Sequence, residues 1–411
     1  MTAYSASGAE IQRSFFNWGM LKKETEMKIL IVVREPWYDE IVRELRKKNK
    51  VDYIFKSRDI FKIENGNYHI SKLFGLRRGY SIVAYILTTF LLLTRKYDVC
   101  MTDYRSVYMP TLFPIISSFI HQFKTIFVYD LRTIPVDYVR EQAETIEKQF
   151  CKEVHFANRY YQGITVITPE MLNYIQNKCT EIHKQVGIWE SGVDEEMFKP
   201  LPKNLELKQK IGFSVHDFVC FYHGSLSNAR GVIELVESFR IIRHREQAIK
   251  LLILGKGECS EKLEKIIRDA SLEDTVKIHD WVACNEVPQF ISTADLCVIP
   301  LPDIFWWRVS SPLKLMEYIA CGKNILLTDI IAHTNAVGTN NKYFWVHETT
   351  ADSFAERIIE CYNCYQENPD IYFKRGMDER QRHLDNITWG HRSDCLQEYL
   401  SRLVDSDATL P

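Results

Sequence analysis

Twice along this chain, short apolar runs that end in polar residues alternate with segments of helical periodicity, and no other feature constrains the fold as much. The first series opens with MKILIVVRE at residues 27–35, continues through VDYIFK, KYDVCMTD and TIFVYDLR, and closes with GITVITP. Short continuous apolar runs of this kind read as parallel strands covered on both faces, and the helical stretches between them supply the crossovers that parallel strands require. The segment ESGVDEEMFKPLPKN at 190–204 breaks the pattern with Gly192, two prolines and acidic turn residues. The alternation then restarts with FVCFYHGS and runs through KLLILGKG, TVKIHDW, DLCVIPL and NILLTD. The expected fold class is α/β, with two Rossmann-like domains facing a central cleft. A length of 411 residues agrees, since single cores usually split beyond ~250–300 residues. The expected division is a polar leader at 1–26, for which disorder is one reading, a first domain at 27–197, a second at 198–375, and a carboxy-terminal helix at 376–411 that crosses back onto the first.

Charge and cysteine usage narrow the function classes. Residues 1–100 carry 18 Lys and Arg against 11 Asp and Glu, whereas residues 201–411 carry 24 against 30. No basic block with interleaved aromatics runs along one element, so nucleic acid is not an expected partner. Most of the eleven cysteines sit in apolar runs, where thiols behave as small hydrophobes, which suits a reducing cytoplasm. Cys361 and Cys364 form a C-x-x-C in a helical pattern with no second pair at zinc spacing, so no metal site is expected there. No signal peptide is evident in residues 1–26, which lack a continuous apolar centre. SIVAYILTTFLLL at 81–93 has about two-thirds of the ~20 residues a spanning helix needs. It reads first as a buried helix and second, because Arg77, Arg78, Arg95 and Lys96 bracket it, as a peripheral contact with an anionic membrane surface.

The stretch SSPLKLMEYIACGK at 310–323 carries the clearest chemistry. Ser311 as N-cap and Pro312 as first helical residue would open a helix whose free N–H groups face an anion. Lys314 and Glu317 would share one face, the cation near a phosphate and the carboxylate a turn deeper near a ribose diol. The alternative is an ordinary exposed Lys–Glu pair. Upstream, YHGSLSNARG runs from a strand into a Gly-Ser turn and reaches Arg230, whose guanidinium suits two phosphate oxygens or, alternatively, Glu234 or Glu237. Gly224 permits close approach of a ligand to the backbone, or is a plain turn residue. Trp281 is either a core aromatic or part of a ligand surface. In the first domain, Asp130 and Arg132 at the end of TIFVYDLRT are expected to face the cleft with Asp103 and Arg105. Asp130 could equally cap the helix after Pro135.

In this order and spacing, FYHGSLSNARGVIELVESF, LLILGKG, TVKIHDWV, ADLCVIPL and SSPLKLMEYIACGKNILLTD resemble the second domain of GT-B fold glycosyltransferases of the retaining family 4, group 1 type. GITVITPEMLNYI and SGVDEEMFKP resemble the end of that family's first domain. The resemblance implies that Arg230 and Lys314 hold the donor diphosphate and Glu317 the ribose hydroxyls. It also implies a donor surface made by Gly224, Ser225, Gly255, Asp280, Trp281, Val282, Ser310, Ser311, Pro312 and Leu313. Asp130 stands nearest the place of the family's polar residue beside the transferred sugar, giving Asp130, Arg230 and Lys314 as catalytic candidates and Arg132, Asp103 and Arg105 as acceptor contacts. Glu317 matches the second glutamate of an E-x7-E motif, but Val309 occupies the place of the first. No metal and no cofactor are implied; the nucleotide-diphosphate sugar, UDP or GDP, is the substrate. The expected activity is a metal-independent hexosyl transfer to a glycan or lipid-linked acceptor in surface polysaccharide biosynthesis, in the cytoplasm or at the inner face of the membrane. Two alternatives are a GT-B nucleotide-sugar epimerase, for which His223 is the histidine nearest the donor loop, and an inactive GT-B homologue serving as a partner subunit.

Overall fold

The structure, a computed structural model, describes residues 26–33, 38–57, 62–70, 79–103, 125–134 and 140–407. Eight strands form the first sheet: β1 (Lys28–Val32), β2 (Lys50–Lys56), β3 (Lys62–Glu64), β4 (Asn67–Ile70), β5 (Val99–Asp103), β6 (Ile126–Leu131), β7 (Gly163–Val166) and β8 (Gln185–Ile188). Their order is β3-β4-β2-β1-β5-β6-β7-β8, parallel except for the β3–β4 pair at the edge. The apolar run KILIV explains the central place of β1, which pairs with β2 on one side and β5 on the other. The second sheet holds β9 (Phe218–His223), β10 (Ile249–Leu254), β11 (Val276–His279), β12 (Leu296–Ile299), β13 (Asn324–Thr328) and β14 (Phe344–Val346). It is parallel throughout, in the order β11-β10-β9-β12-β13-β14. Chain order reverses at β9, where β10 lies to one side and β12 to the other, so the carboxyl end of β9 opens onto the crevice that such a switch creates.

Among the helices of the described residues, those that the site and the crossing between domains rest on are α1 (Asp39–Leu45), α2 (Gly79–Thr94), α3 (Arg140–Tyr160), α4 (Pro169–Lys178), α5 (Val232–Arg245), α6 (Leu313–Ala320), α7 (Pro369–Ile387) and α8 (Trp389–Asp407). The start of α4 is written in its sequence: the Thr168 side chain accepts from the Met171 N–H and Pro169 takes the first turn. Helix α7 stays with the second sheet, packing on α6 and β13, whereas α8 packs on α1 and β8. The chain therefore crosses back at Thr388, which bridges to Val193. Leu396, Tyr399, Leu400 and Leu403 of α8 complete the apolar cluster under β1, β2 and β5.

Two expectations about packing are corrected. Helix α2 is only half buried: Ala84, Thr88, Leu91 and Leu92 face the core, while Ile82, Ile86, Phe90 and Leu93 are each more than half exposed. Its residues at i, i+4, i+8 and i+11 are apolar as well as the core-facing ones, so the sequence run is continuous although only one face is covered. The cysteines are not all thiols either, because Cys151 of α3 and Cys179 after α4 are joined as a disulfide. Cys361 and Cys364 remain free, the former in the core, and no metal-holding group of three His, Cys, Asp or Glu occurs among the described residues. No helix among the described residues is long and apolar enough to cross a membrane. Residues 1–25, Arg77, Arg78 and Arg105 lie outside the described residues.

Candidate active site

Arg230 and Lys314 converge on one tyrosine. The Lys314 Nζ sits 5.0 Å from the centre of the Tyr222 ring, and Arg230 stands close enough to the Tyr222 hydroxyl to act on its ionisation, while that hydroxyl donates to the Ser225 carbonyl at 2.9 Å. Burial pushes that phenol up to about 12, with Arg230 pulling it the other way. The guanidinium also stacks over Trp307, 4.7 Å from the ring centre, and Trp307 Nε1 is fixed by the Ala229 carbonyl. Glu237, one of the alternative partners for Arg230, pairs with Arg240 instead. Burial first, and then the neighbouring Arg230, brings the Lys314 ammonium down to about 7, against the partial compensation of Glu317. Two cations held side by side with one carboxylate nearby form a site whose charge suits an anion.

Glycines make the convergence possible. Gly224, at φ +129°, lies directly beneath the ammonium, and a Cβ there would be 2.7 Å from Lys314 Nζ. Gly231, at φ +68°, ends the short turn bearing Arg230 and starts α5; a Cβ would meet the Pro300 carbonyl oxygen at 1.8 Å. Replacement by any other residue would displace the arginine turn from β12.

One turn into α6, Glu317 is held by the last residue of β9. His223 Nε2 lies 2.8 Å from Glu317 Oε2, His223 Nδ1 lies 2.9 Å from the Tyr318 hydroxyl, and the His223 N–H donates to that hydroxyl at 3.2 Å. The side chains of His223 and Glu317 are 13% and 17% exposed. Lys314 and Glu317 thus share one face of α6, but the carboxylate is bound by histidine and not by the lysine.

The entrance to α6 differs from the expected cap. Pro312, not Ser311, is the N-cap residue, in an extended conformation and without a side-chain cap. Ser311 turns to the first domain, where its Oγ accepts from the Ser191 N–H at 3.1 Å and its carbonyl accepts from Ser191 Oγ at 3.2 Å. Val309 behaves likewise. It is 4% exposed, joins the apolar cluster of the first domain, and its carbonyl accepts from Thr168 Oγ1 at 2.9 Å. The place of the missing glutamate is therefore an apolar, hydrogen-bonded seam between domains. Tyr174 and Phe305 extend it with ring centres 4.6 Å apart. Ser310 bonds back to the Trp307 carbonyl, and Leu313 is exposed.

Asp130 does not face the cleft. It is fully buried, accepting from Tyr38 OH at 2.5 Å, Thr165 Oγ1 at 2.5 Å and Trp189 Nε1 at 3.0 Å. Burial raises its carboxyl, while Arg132 and these three donors oppose the rise. Arg132 lies over the Trp189 ring, 3.6 Å from its centre, and bonds the Trp189 carbonyl. The physical reason is position: Asp130 is the fifth residue of β6, still inside the sheet and paired in register with Thr165. The pair ties β6, β7 and the segment after β8 together, and Asp103 ends the neighbouring β5 half-buried. Asp280 and Trp281 follow β11 on the surface, Asp280 paired with Lys256 at 3.1 Å and Trp281 61% exposed, which removes the core-aromatic alternative. Concavities of about 390 and 350 Å³ run along β11, lined by His279 and by Lys210, with Val282 in the larger; Arg230, Lys314 and Glu317 line neither.

Sequence reasoning missed Tyr222, Trp307, Thr168 and Ser191. Only Thr168 carried a local signal, the Thr-Pro helix start, and its second bond to the other domain had none.

Two facing parallel sheets, with the cationic site at the carboxyl ends of the second, define the GT-B class. Residues 217–364, the greater part of the second domain, match the family described as glycosyl transferases group 1. The amylovoran biosynthesis glycosyltransferase AmsK of Erwinia amylovora is 22% identical over 147 residues, covering 36% of this chain and 34% of that protein. The D-inositol 3-phosphate glycosyltransferase of Paenarthrobacter aurescens is 24% identical over 191 residues, covering 46% and 45%. The chain spans about half, or less, of the length of the curated relatives it matches. Among solved structures, Anabaena Alr3699/HepE in complex with UDP and glucose superimposes with a TM-score of 0.69 at 15% identity, covering 92% of this chain and all of that one.

Proposed function

We propose that this chain is a retaining, metal-independent glycosyltransferase that moves a hexosyl group from a UDP or GDP sugar to a glycan or lipid-linked acceptor. The observation that carries the reading is the meeting of Arg230, stacked on Trp307, and Lys314, over Tyr222, with no carboxylate of the described residues within ion-pair distance of Arg230 and with the Glu317 carboxylate one turn further along α6. A nucleoside diphosphate matches that spacing of charges: pyrophosphate against the cations, ribose against the carboxylate. In the reaction the bond from the anomeric carbon to the diphosphate oxygen breaks and a bond to the acceptor oxygen forms. The acceptor proton passes to the departing phosphate oxygen, as suits front-face retention. Arg230 and Lys314 stabilise the charge that develops on the leaving diphosphate. Asp130, enclosed by three donors, has no part in proton transfer. The HepE complex with UDP and glucose supports a nucleotide-sugar donor, and the name of AmsK supports an acceptor in polysaccharide assembly.

A cytoplasmic location at the membrane surface is part of the same reading, supported by the exposed stripe Ile82, Ile86, Phe90 and Leu93 on α2 beside Arg95 and Lys96. The donor side is tested by thermal shift with UDP, GDP and their sugars. Ligand at about 100 times its Kd should stabilise the wild type by roughly 2.7 kcal/mol. Arg230→Ala should weaken binding by about 10- to 100-fold, the loss of one charge-assisted pair. A wild-type protein that neither diphosphate stabilises refutes the proposal.

A further inference from the structure

We propose that His223 is a positioning residue that presents the Glu317 carboxylate to the ribose diol, so that this histidine sets the preference for a ribonucleotide donor. The inference rests on the reading of the site as a nucleotide-sugar site and goes one residue deeper into it.

For a neutral imidazole, three contacts fit one arrangement of protons. The Tyr318 hydroxyl receives the His223 backbone N–H at 3.2 Å, so its own proton is free to be donated, and His223 Nδ1 lies 2.9 Å away to accept it. With Nδ1 occupied as acceptor, the neutral imidazole carries its proton on Nε2, where Glu317 Oε2 accepts at 2.8 Å. Each group in the chain is satisfied once, and the direction runs from backbone to tyrosine to histidine to carboxylate. The tautomer is fixed by these partners, in the way that an outer hydrogen bond fixes a metal-ligating histidine.

The ring itself is held on several sides. It lies edge-on to Tyr318, with centres 5.2 Å apart, and near-parallel to Phe221 two residues earlier on the same strand, at 5.8 Å. Strand β9 is central in the second sheet, so the imidazole stands on a rigid support. Glu317 thereby loses the freedom of a long side chain. Among the described residues none donates to its Oε1, and that oxygen is not enclosed.

A cis-diol needs two acceptors on one carboxylate with its plane correctly turned. The remaining lone pairs of Oε1 and Oε2 supply them only while His223 holds that plane. The histidine gives up no proton and touches no reacting atom. Without it, Glu317 is drawn toward Lys314 on the same face of α6 and the diol loses its partner.

The test is a calorimetric titration of the full chain with UDP, GDP and their 2′,3′-dideoxy analogues, on wild type, His223→Ala and His223→Gln. Wild type should prefer the ribonucleotide. His223→Ala should weaken it about 10-fold while changing dideoxynucleotide affinity by less than about twofold, and His223→Gln, whose amide can donate to Glu317, should recover part of the loss. Should His223→Ala fail to fold, Tyr318→Phe, which removes the hydroxyl that fixes the tautomer, should give the same hydroxyl-dependent weakening. Equal losses for both nucleotides, or no loss for either, overturn the inference and leave the donor site standing. A wild type that binds no diphosphate removes the site and the inference together.

Discussion

Lys314 offers the sharpest consequence of the site's construction, because its ammonium is brought down from 10.5 to about 7 by burial and by Arg230. A lowered lysine binds fewer protons in the folded chain than in the unfolded one, so folding stability rises with pH between about 7 and 10.5 and the protonated site is a cost at lower pH. At roughly 1.4 kcal/mol per pH unit the upper limit of that cost is about 5 kcal/mol, reduced by whatever solvent reaches the partly buried ammonium. A bound diphosphate reverses the balance by restoring the charged form. Binding should therefore take up about 0.5 proton at pH 7 and about 0.9 at pH 8, if the complex returns the lysine to its ordinary range. The higher pH is the cleaner, since a terminal phosphate with a pKa near 6 is already ionised there. The assay is isothermal titration of UDP or GDP at pH 8 in buffers of different ionisation enthalpy, with Lys314→Met as control. Zero uptake in the wild type, or uptake that persists in Lys314→Met, would refute the reasoning.

The other predictions concern groups whose role the structure reassigned. Asp130→Ala should lower unfolding stability by about 3 kcal/mol, read in urea, because it strands three buried donors; kcat per folded molecule at low temperature should stay within about threefold of wild type. A loss of kcat in a fully folded variant would return Asp130 to the chemistry. Val309→Glu should destabilise by several kcal/mol and should not raise activity, since the carboxylate would enter the apolar seam between domains; greater turnover in that variant would show that the seam is not closed in solution. Ile86→Asp with Phe90→Asp should abolish flotation with vesicles containing anionic lipid while leaving transfer to a water-soluble acceptor unchanged, and flotation that survives both changes removes α2 as the contact.

Much of the architecture was legible because parallel sheets advertise themselves locally. KILIV, FVCFYH and LCVI are short, apolar and bounded by polar turns, and each is a central strand. The places of Arg230, Lys314 and Glu317 in the fold were legible for the same reason, since each stands beside a strand end or helix start that fixes it. What could not be read was whatever depends on partners distant in the chain. Asp130 ends an apolar run and looks like a rim residue, yet Tyr38, Thr165 and Trp189 close over it from three other segments. The apolar run of α2 gave no sign of which face the core would cover. Cys151 and Cys179 lie 28 residues apart, one in α3 and the other just after α4, and nothing in that spacing pairs them.

Val309 shows how a local departure acquires meaning only in the tertiary structure. Taken along the chain it is a glutamate lost from a donor-binding motif, and the natural consequence is a weaker grip on the sugar. In the fold its side chain lies in the core cluster of the first domain, its carbonyl is bonded by the helix cap Thr168, and Ser311 two residues on is bonded twice to Ser191. The start of α6, and with it the position of Lys314 and Glu317, is thus set from the first domain as much as from the second sheet. An acidic residue at 309 would have to leave that seam to reach a sugar, taking the Thr168 bond with it. On the proposed reading, the apolar residue exchanges one contact with the donor for a fixed relation between the two halves of the cleft, and the donor would be held by the cations beside Tyr222 and by the carboxylate that His223 contacts.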